Sequence, residues 1–325
     1  MLPSFAYVRP TTIKGATFHL AGGEARIHAG GTDLLGCLRD RVFTTPTVVS
    51  LQGIRSLRGI DETADGGLRI GALTSIDEIA RNAVVRSHYA ALAEAAASVA
   101  SPQLRRQGTL GGNLCQKPRC WYYRGDFHCL RKGGEVCFAA AGENEYHCIF
   151  GGSGCSIVHP SDTAPALVAL GASARIEGPE RARTVSLEGF FVPPAVDYRR
   201  ETVLGPGEIL SEVLLPPPGA GQRSSYRKVR ARASWDFALV GAAVALRFEG
   251  DLVREARVVL GGVAPVPWRA HATERAVLGH RLDGPTIAAA ARAAVAGAEP
   301  LARNGYKVPL VRGLVEERLE KIAKV

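Results

Sequence analysis

The sequence predicts an α+β fold built in several units, and three observations carry that prediction. At 325 residues the chain is long enough for about two to three domains, each able to bury a core of its own without metal or disulfide staples. Short β-rich runs bounded by turn residues are mixed with alanine- and leucine-rich stretches at helical spacing. Pro216-Pro217-Pro218-Gly219 then breaks the pattern ahead of a basic strand, an apolar strand and three helical stretches. The expected units are 1–56, 57–218 and 219–325.

Taken in order, Arg26 to Gly36 reads RIHAGGTDLLG: an alternating strand, then Gly30-Gly31-Thr32-Asp33, then a helix starting at Leu34. Paired glycines after a strand let the backbone approach a ligand and turn successive amides one way, which suits a diphosphate. The bland reading is a turn with Asp33 as a helix cap. Neither the GxGxxG spacing nor a P-loop is present. Thr44 to Leu73 is hairpin-rich, with Asp65-Gly66-Gly67 as a turn. Ser75 to Glu78 offers a capping box before IDEIARNAVV, and Tyr89 to Ala100 reads as a second helix, ended by Pro102. Gly108, Gly111 and Gly112 open another glycine loop, with Thr109 and Asn113 as its polar tips.

Six of the seven cysteines lie between Cys115 and Cys155, at spacings x4, x8, x7, x10 and x6. The closely spaced knuckle pairs of a zinc site are absent, and so is the x2 run of bacterial ferredoxins. Spacing supports metal binding without choosing the metal, and His128 and His147 keep zinc open. Lys117, Arg119, Arg124, Arg131 and Lys132 have the sign to offset a thiolate-ligated cluster, although a solvated loop face is the more economical account. After the insertion, Ser161-Asp162 precedes a short apolar helix, where Asp162 reads either as its cap or as a polar ligand contact. A strand follows, then EILSEVLLP, the proline break, a basic strand at Tyr226 to Arg232 and an apolar strand at Phe237 to Leu246. Helices are expected at Ala270 to Leu278, Thr286 to Ala298 and Val311 to Ala323. No Ser/His/Asp or paired-carboxylate arrangement emerges, so no catalytic residue is assigned.

Composition narrows the function. The content is 46% hydrophobic and 22% charged, ordinary for a folded domain. Net charge is +9, but no aromatics interleave with the basic residues, so the excess reads as solvated surface rather than a nucleic-acid face. The longest apolar run, Phe237 to Leu246, is too short to span a bilayer, and MLPSFAYVRPTTIKG lacks the pattern of a signal segment. A cytoplasmic location is expected, where an odd number of cysteines suits metal or cluster ligation better than disulfides.

In order, AGGTDLL, TLGGN, the serine-aspartate pair and YRKVRARASWDFALV resemble the FAD-binding medium subunit of the molybdenum hydroxylases, the family of xanthine dehydrogenase and carbon monoxide dehydrogenase. The resemblance spans essentially the whole chain. It implies a two-part FAD-binding domain of the vanillyl-alcohol-oxidase-like type, followed by a smaller α+β domain of antiparallel strands and helices. Most subunits of that family pass almost directly from GGN to the aspartate. The cysteine insertion at about 115–155 instead resembles the branch of 4-hydroxybenzoyl-CoA reductase and aldehyde oxidoreductase flavin subunits, which carries an additional [4Fe–4S] cluster there. By that resemblance the ligands are Cys120, Cys129, Cys137 and Cys155. Cys120 follows an arginine, Cys155 lies seven residues before Asp162, and Cys115 and Cys148 are left over.

The resemblance also implies that Ala29, Gly30, Gly31, Thr32, Asp33 and Leu34 wrap the FAD diphosphate and ribitol. Thr109, Gly111, Gly112 and Asn113 form the second loop, Ser161 and Asp162 contact the adenosine or ribityl side, and Lys228 lies near the isoalloxazine or its ribityl chain. The implied partners are a molybdenum-cofactor large subunit, a small subunit with two [2Fe–2S] clusters, and an electron carrier such as a ferredoxin. The implied function is electron relay, with the substrate pocket in another subunit. The rival readings are a free-standing flavoprotein oxidoreductase and a zinc-stabilised nucleic-acid-binding module.

Overall fold

Three sheets organise residues 1–324, the part of the chain that the computed structural model describes. The first is parallel and contains β1 (Ala6–Val8), β2 (Arg26–His28) and β3 (Thr47–Ser50), in the order β1-β3-β2. Its middle strand reads TVVS and is buried from Val48 onward, as a strand covered on both faces requires. From β2 the chain passes through Ala29–Asp33 into a helix at Leu34–Arg39.

The second sheet is antiparallel and contains β4 (Ile60–Glu62), β5 (Leu68–Gly71), β6 (Ser173–Glu177), β7 (Ala182–Ser186) and β8 (Ile209–Leu215), in the order β4-β5-β8-β6-β7. Between β5 and β6 the chain builds helices. The first, Ile76–Arg81, starts on the expected capping box: Ser75 Oγ accepts from Glu78 N at 3.1 Å, and Glu78 Oε2 accepts from Ser75 N at 2.8 Å. It stops at Asn82, whose side chain accepts from Val85 N and caps a separate helix, Ala83–His88. The helix expected over Tyr89 to Ala100 is Ala90–Ser98. Pro102 does not end it. Pro102 starts a new helix, Pro102–Gln107, capped by Ser101, because at a first helical position its missing N–H costs no hydrogen bond. Gly111 and Gly112 likewise do not form an open loop: they lie in the short helix Leu110–Leu114, where Thr109 Oγ1 accepts from Gly112 N at 3.2 Å.

The third sheet is antiparallel: β9 (Gln222–Val229), β10 (Val240–Glu249), β11 (Leu252–Gly261) and β12 (Trp268–Arg269), in the order β12-β11-β10-β9. The basic strand thus begins before Tyr226 and ends at Val229, and the apolar strand begins at Val240. Between them a loop carries Trp235 at φ 53°. Along β10 the burial alternates between two cores: Ala243 and Ala245 face the core built by the second sheet and the helix Thr163–Ala169, while Ala242, Val244 and Leu246 face that of the C-terminal helix Lys307–Ala323. One strand therefore joins the last domain to the rest.

The insertion from Cys115 to Cys155 contains only single turns, at Trp121–Arg124, Leu130–Lys132 and Phe138–Ala140. A segment of that length without a strand is unusual inside a folded protein unless it serves a function. Its far end is held by the C-terminal domain. Asn304 Nδ2 donates to the carbonyls of His147 and Cys148 at 3.1 and 3.0 Å. The buried Lys307 Nζ donates to those of Tyr146, His147 and Gly262 at 3.1, 2.9 and 2.7 Å. No helix among the described residues is long and apolar enough to cross a membrane.

Candidate functional site

The two glycine segments meet. A Cβ on Gly30 would stand 2.1 Å from the Gln107 carbonyl oxygen, and Gln107 Nε2 donates back to the Gly30 carbonyl at 3.0 Å. Gly31 turns the chain at φ +74°, a backbone conformation natural to glycine. Gly30→Ala is therefore expected to displace the loop, costing about 1–3 kcal/mol in a urea titration and lowering the flavin recovered with the protein. An unchanged midpoint and flavin content would refute this.

Beside the contact lies a cavity of about 570 Å³, bordered by Ala29 to Leu34 on one side and by Thr109, Gly111 and Gly112 on the other. Thr32, Asp33, Thr109 and Gly112 also border an adjoining cavity of about 290 Å³, which reaches Asn113, Asp162 and Lys228. Two joined cavities of this size suit an elongated cofactor. The carbonyl oxygen of the Asn113 side chain accepts from the Ser161 and Thr163 hydroxyls at 2.6 and 2.7 Å, which fixes its orientation. Ser161 itself borders a third cavity, between Asp162 and Cys120.

Asp162 occupies the capping position of the helix Thr163–Ala169, yet its side chain makes no capping bond. Instead Oδ2 accepts from Lys228 Nζ at 2.7 Å and Oδ1 from the Tyr226 hydroxyl at 3.0 Å, all three side chains being buried. Burial lifts the Asp162 carboxyl above its ordinary value, with Lys228 and Tyr226 pulling the other way. At the rim of the same cavity, Trp235 N donates to the carbonyl of Ala100 at 3.1 Å, and both residues are held at positive φ.

Asp33 is likewise no helix cap. Its carboxylate accepts from Arg119, from Arg124 Nη2 at 2.7 Å and from the Lys117 amide at 2.7 Å, all from the insertion. Burial pushes this carboxyl up, but Arg119 and Arg124 outweigh it and hold it below the ordinary value. Arg124 also donates to Cys37 Sγ at 2.9 Å. Glu201 takes Lys117 on one carboxylate oxygen and Arg131 on the other. Four of the five basic residues that read as a solvated loop face are therefore counter-ions of buried or half-buried carboxylates. Only Lys132 bonds a nearby carbonyl instead, that of Gly125.

Cys120, Cys129, Cys137 and Cys155 border one small cavity of about 20 Å³, walled by Tyr122, Phe138 and His147. His147 Nε2 stands 3.2 Å from Cys120 Sγ, and the side chains of Cys137 and Cys155 are neighbours. Cys115 borders the large cavity instead, and Cys148 lies beside Lys307 and Gly152. His128 is exposed. Among the described residues no three His, Cys, Asp or Glu side chains are grouped so as to hold a single metal ion. Four thiols around one aromatic-walled space are the donor set that a four-iron cluster takes, one per iron, so the residues present fit that group.

His159, four residues after Cys155, is fully buried and pushed down to about 4 by that burial. An unfolded chain binds a proton on this residue below about 6.5 that the folded chain refuses until about 4. Stability is therefore expected to fall by about 3 kcal/mol as pH drops through that window. Urea titrations across the window test this, and since burial pushes His147 down to about 4 as well, His159→Gln should remove about half of the slope; an equally steep profile in the variant would assign the loss elsewhere.

Residues 3–218 match the family model described as the FAD binding domain in molybdopterin dehydrogenase, and residues 224–322 match that of the CO dehydrogenase flavoprotein C-terminal domain. The chain is an FAD-binding medium subunit of the molybdenum hydroxylase family. It is 38% identical over 293 residues to the aldehyde oxidoreductase FAD-binding subunit of Escherichia coli, covering 89% of this chain and 88% of that one. It is 29% identical to the carbon monoxide dehydrogenase medium chain of Hydrogenophaga pseudoflava, over 92% and 88% of the two chains. The solved carbon monoxide dehydrogenase of that organism superposes with a TM-score of 0.79 at 29% identity, over 98% and 97% of the chains. Quinoline 2-oxidoreductase from Pseudomonas putida 86 gives the same TM-score at 25% identity, over 100% and 98%.

The mixed α and β architecture with its antiparallel C-terminal domain is that of the family. Sequence reasoning missed Gln116, Lys117, Glu201 and the segment Leu204–Ile209, which also border the large cavity, and Tyr226, which holds Asp162. Of these, only Lys117 carried a signal: a basic residue two positions from Arg119, in a segment opening on glycines.

Proposed function

We propose that this flavin subunit also carries a [4Fe–4S] cluster, and that it relays electrons between the molybdenum and [2Fe–2S] subunits of its complex and an external carrier such as a ferredoxin. The reading is supported above all by one observation: Cys120, Cys129, Cys137 and Cys155 converge on one cavity that excludes Cys115 and Cys148. Bound FAD takes up two electrons and passes them on singly, which joins a two-electron centre to a one-electron chain. Ala29 to Leu34 and Thr109 to Asn113 would hold FAD, with Asp162 and Lys228 at the inner end of the joined cavities. Ser161 acts through Asn113, keeping its amide in one orientation. Tyr122, Phe138 and His147 keep water from the thiols, and the positive charge of Arg131 offsets thiolate charge there.

The large and small partner subunits follow from the relatives named as medium chains. A free-standing oxidoreductase and a zinc module are not favoured by the match over the whole chain. Anaerobic purification, a visible spectrum and assays of iron, zinc and released flavin test the reading. About four irons and one FAD per chain are expected, and zinc without flavin would overturn it.

A further inference from the structure

We infer that Glu201 couples the two redox sites electrostatically, acting as the shared counter-ion of one cation at the thiol cavity and one at the flavin cavity. The inference rests on the cluster reading above. Arg131 borders the thiol cavity, its side chain 2% exposed, and lies within electrostatic reach of Cys155. Lys117 borders the large cavity, as does Glu201 itself. Each of these cations takes a different oxygen of the same carboxylate. Arg131 also donates to the Tyr198 carbonyl, and its guanidinium lies 5.9 Å from the centre of the Tyr123 ring, so its position is fixed from three sides. Burial pushes the Glu201 carboxyl up, but Lys117 and Arg131 more than reverse this, so it stays ionised.

The physical consequence is a matter of sign. A centre that gains an electron becomes more negative, so an uncompensated cation beside it favours the reduced form and raises its midpoint potential. Interactions of this kind are weakly screened where water is excluded. Glu201 lies against both cations, so it damps both fields at once. Glu201 reaches them from outside the insertion, on the stretch that leads to β8, and thereby ties the potentials of two centres to one side chain. Its part is positioning and tuning, not contact with a reacting atom.

The experiment is redox titration, by visible and electron-paramagnetic spectroscopy, of the purified complex with iron and FAD contents measured for every variant. Glu201→Gln keeps the shape and removes the charge. It is expected to shift both midpoints upward. Arg131→Gln should lower that of the cluster and leave the flavin nearly unmoved, and Lys117→Met should lower that of the flavin. A merely structural role would not give shifts of opposite sign. Unmoved potentials in a fully loaded Glu201→Gln protein would overturn the coupling. If that variant loses its cofactors, Lys117→Met carries the test, since its side chain is 27% exposed and its loss leaves Glu201 paired with Arg131. There the Glu201 charge, left facing Arg131 alone, should lower the cluster midpoint as well, and an unmoved cluster potential overturns the coupling equally. An iron content in the unmutated complex no higher than the two [2Fe–2S] clusters of the small subunit supply would overturn the cluster reading itself, which separates the two failures.

Discussion

Cys129→Ser is expected to strip the iron from the protein and leave its FAD in place, whereas Cys148→Ser leaves both. The two cysteines are equally buried, so burial does not distinguish them. Position does. Cys129 borders the cavity shared with Cys120, Cys137 and Cys155, and Cys148 does not border it, its thiol lying beside Lys307 and Gly152. Serine keeps the size of the side chain but is a poor ligand for iron beside thiolate. The flavin should survive because Cys129 does not border either flavin cavity. Iron and flavin assays on both variants, normalised to protein, read the outcome directly. Loss of iron in Cys148→Ser would move the ligand set to a different four cysteines.

Asp33→Ala is expected to cost about 3 kcal/mol of stability, the lower end of what removing one partner of a buried ion pair costs. The carboxylate is 17% exposed, and its removal leaves Arg119 and Arg124 facing each other without a counter-ion. The Lys117 amide loses its acceptor as well. Asp33 follows Thr32 in the loop that borders both flavin cavities, so flavin retention should fall with stability. A urea midpoint equal to that of the unmutated protein would show that the insertion does not depend on this carboxylate. Asp33→Asn, which keeps one acceptor oxygen but loses the charge, should fall between the two.

What was legible in the sequence was local. Gly30-Gly31 and the Ser75 to Glu78 capping box announce a turn and a helix start from neighbours within four residues, and both stand as read. Pro102 was misread because the rule for proline inside a helix and the rule for proline at its first position differ only by where the previous helix has stopped, and Val99 had already left it. The roles of Asp33, Asp162 and Glu201 were not legible, because their partners are remote: Arg119 is 86 residues from Asp33, Lys228 is 66 from Asp162, and Lys117 is 84 from Glu201. Ion pairs at such separations leave no periodicity in the chain. Spacing alone did not choose the four cysteines either, since the residues that close their cavity arrive from separate turns.

The anchoring of the insertion by Asn304 and Lys307 has a consequence for how the protein is made. The thiols are synthesised in the middle of the chain, but the carbonyls of His147 and Cys148 are bonded by side chains near its end. During translation these two carbonyls therefore stay without their partners until that stretch leaves the ribosome, whereas Arg119 and Arg124 can pair with Asp33 as soon as they are made. Docking of that stretch is then the step that completes this end of the insertion.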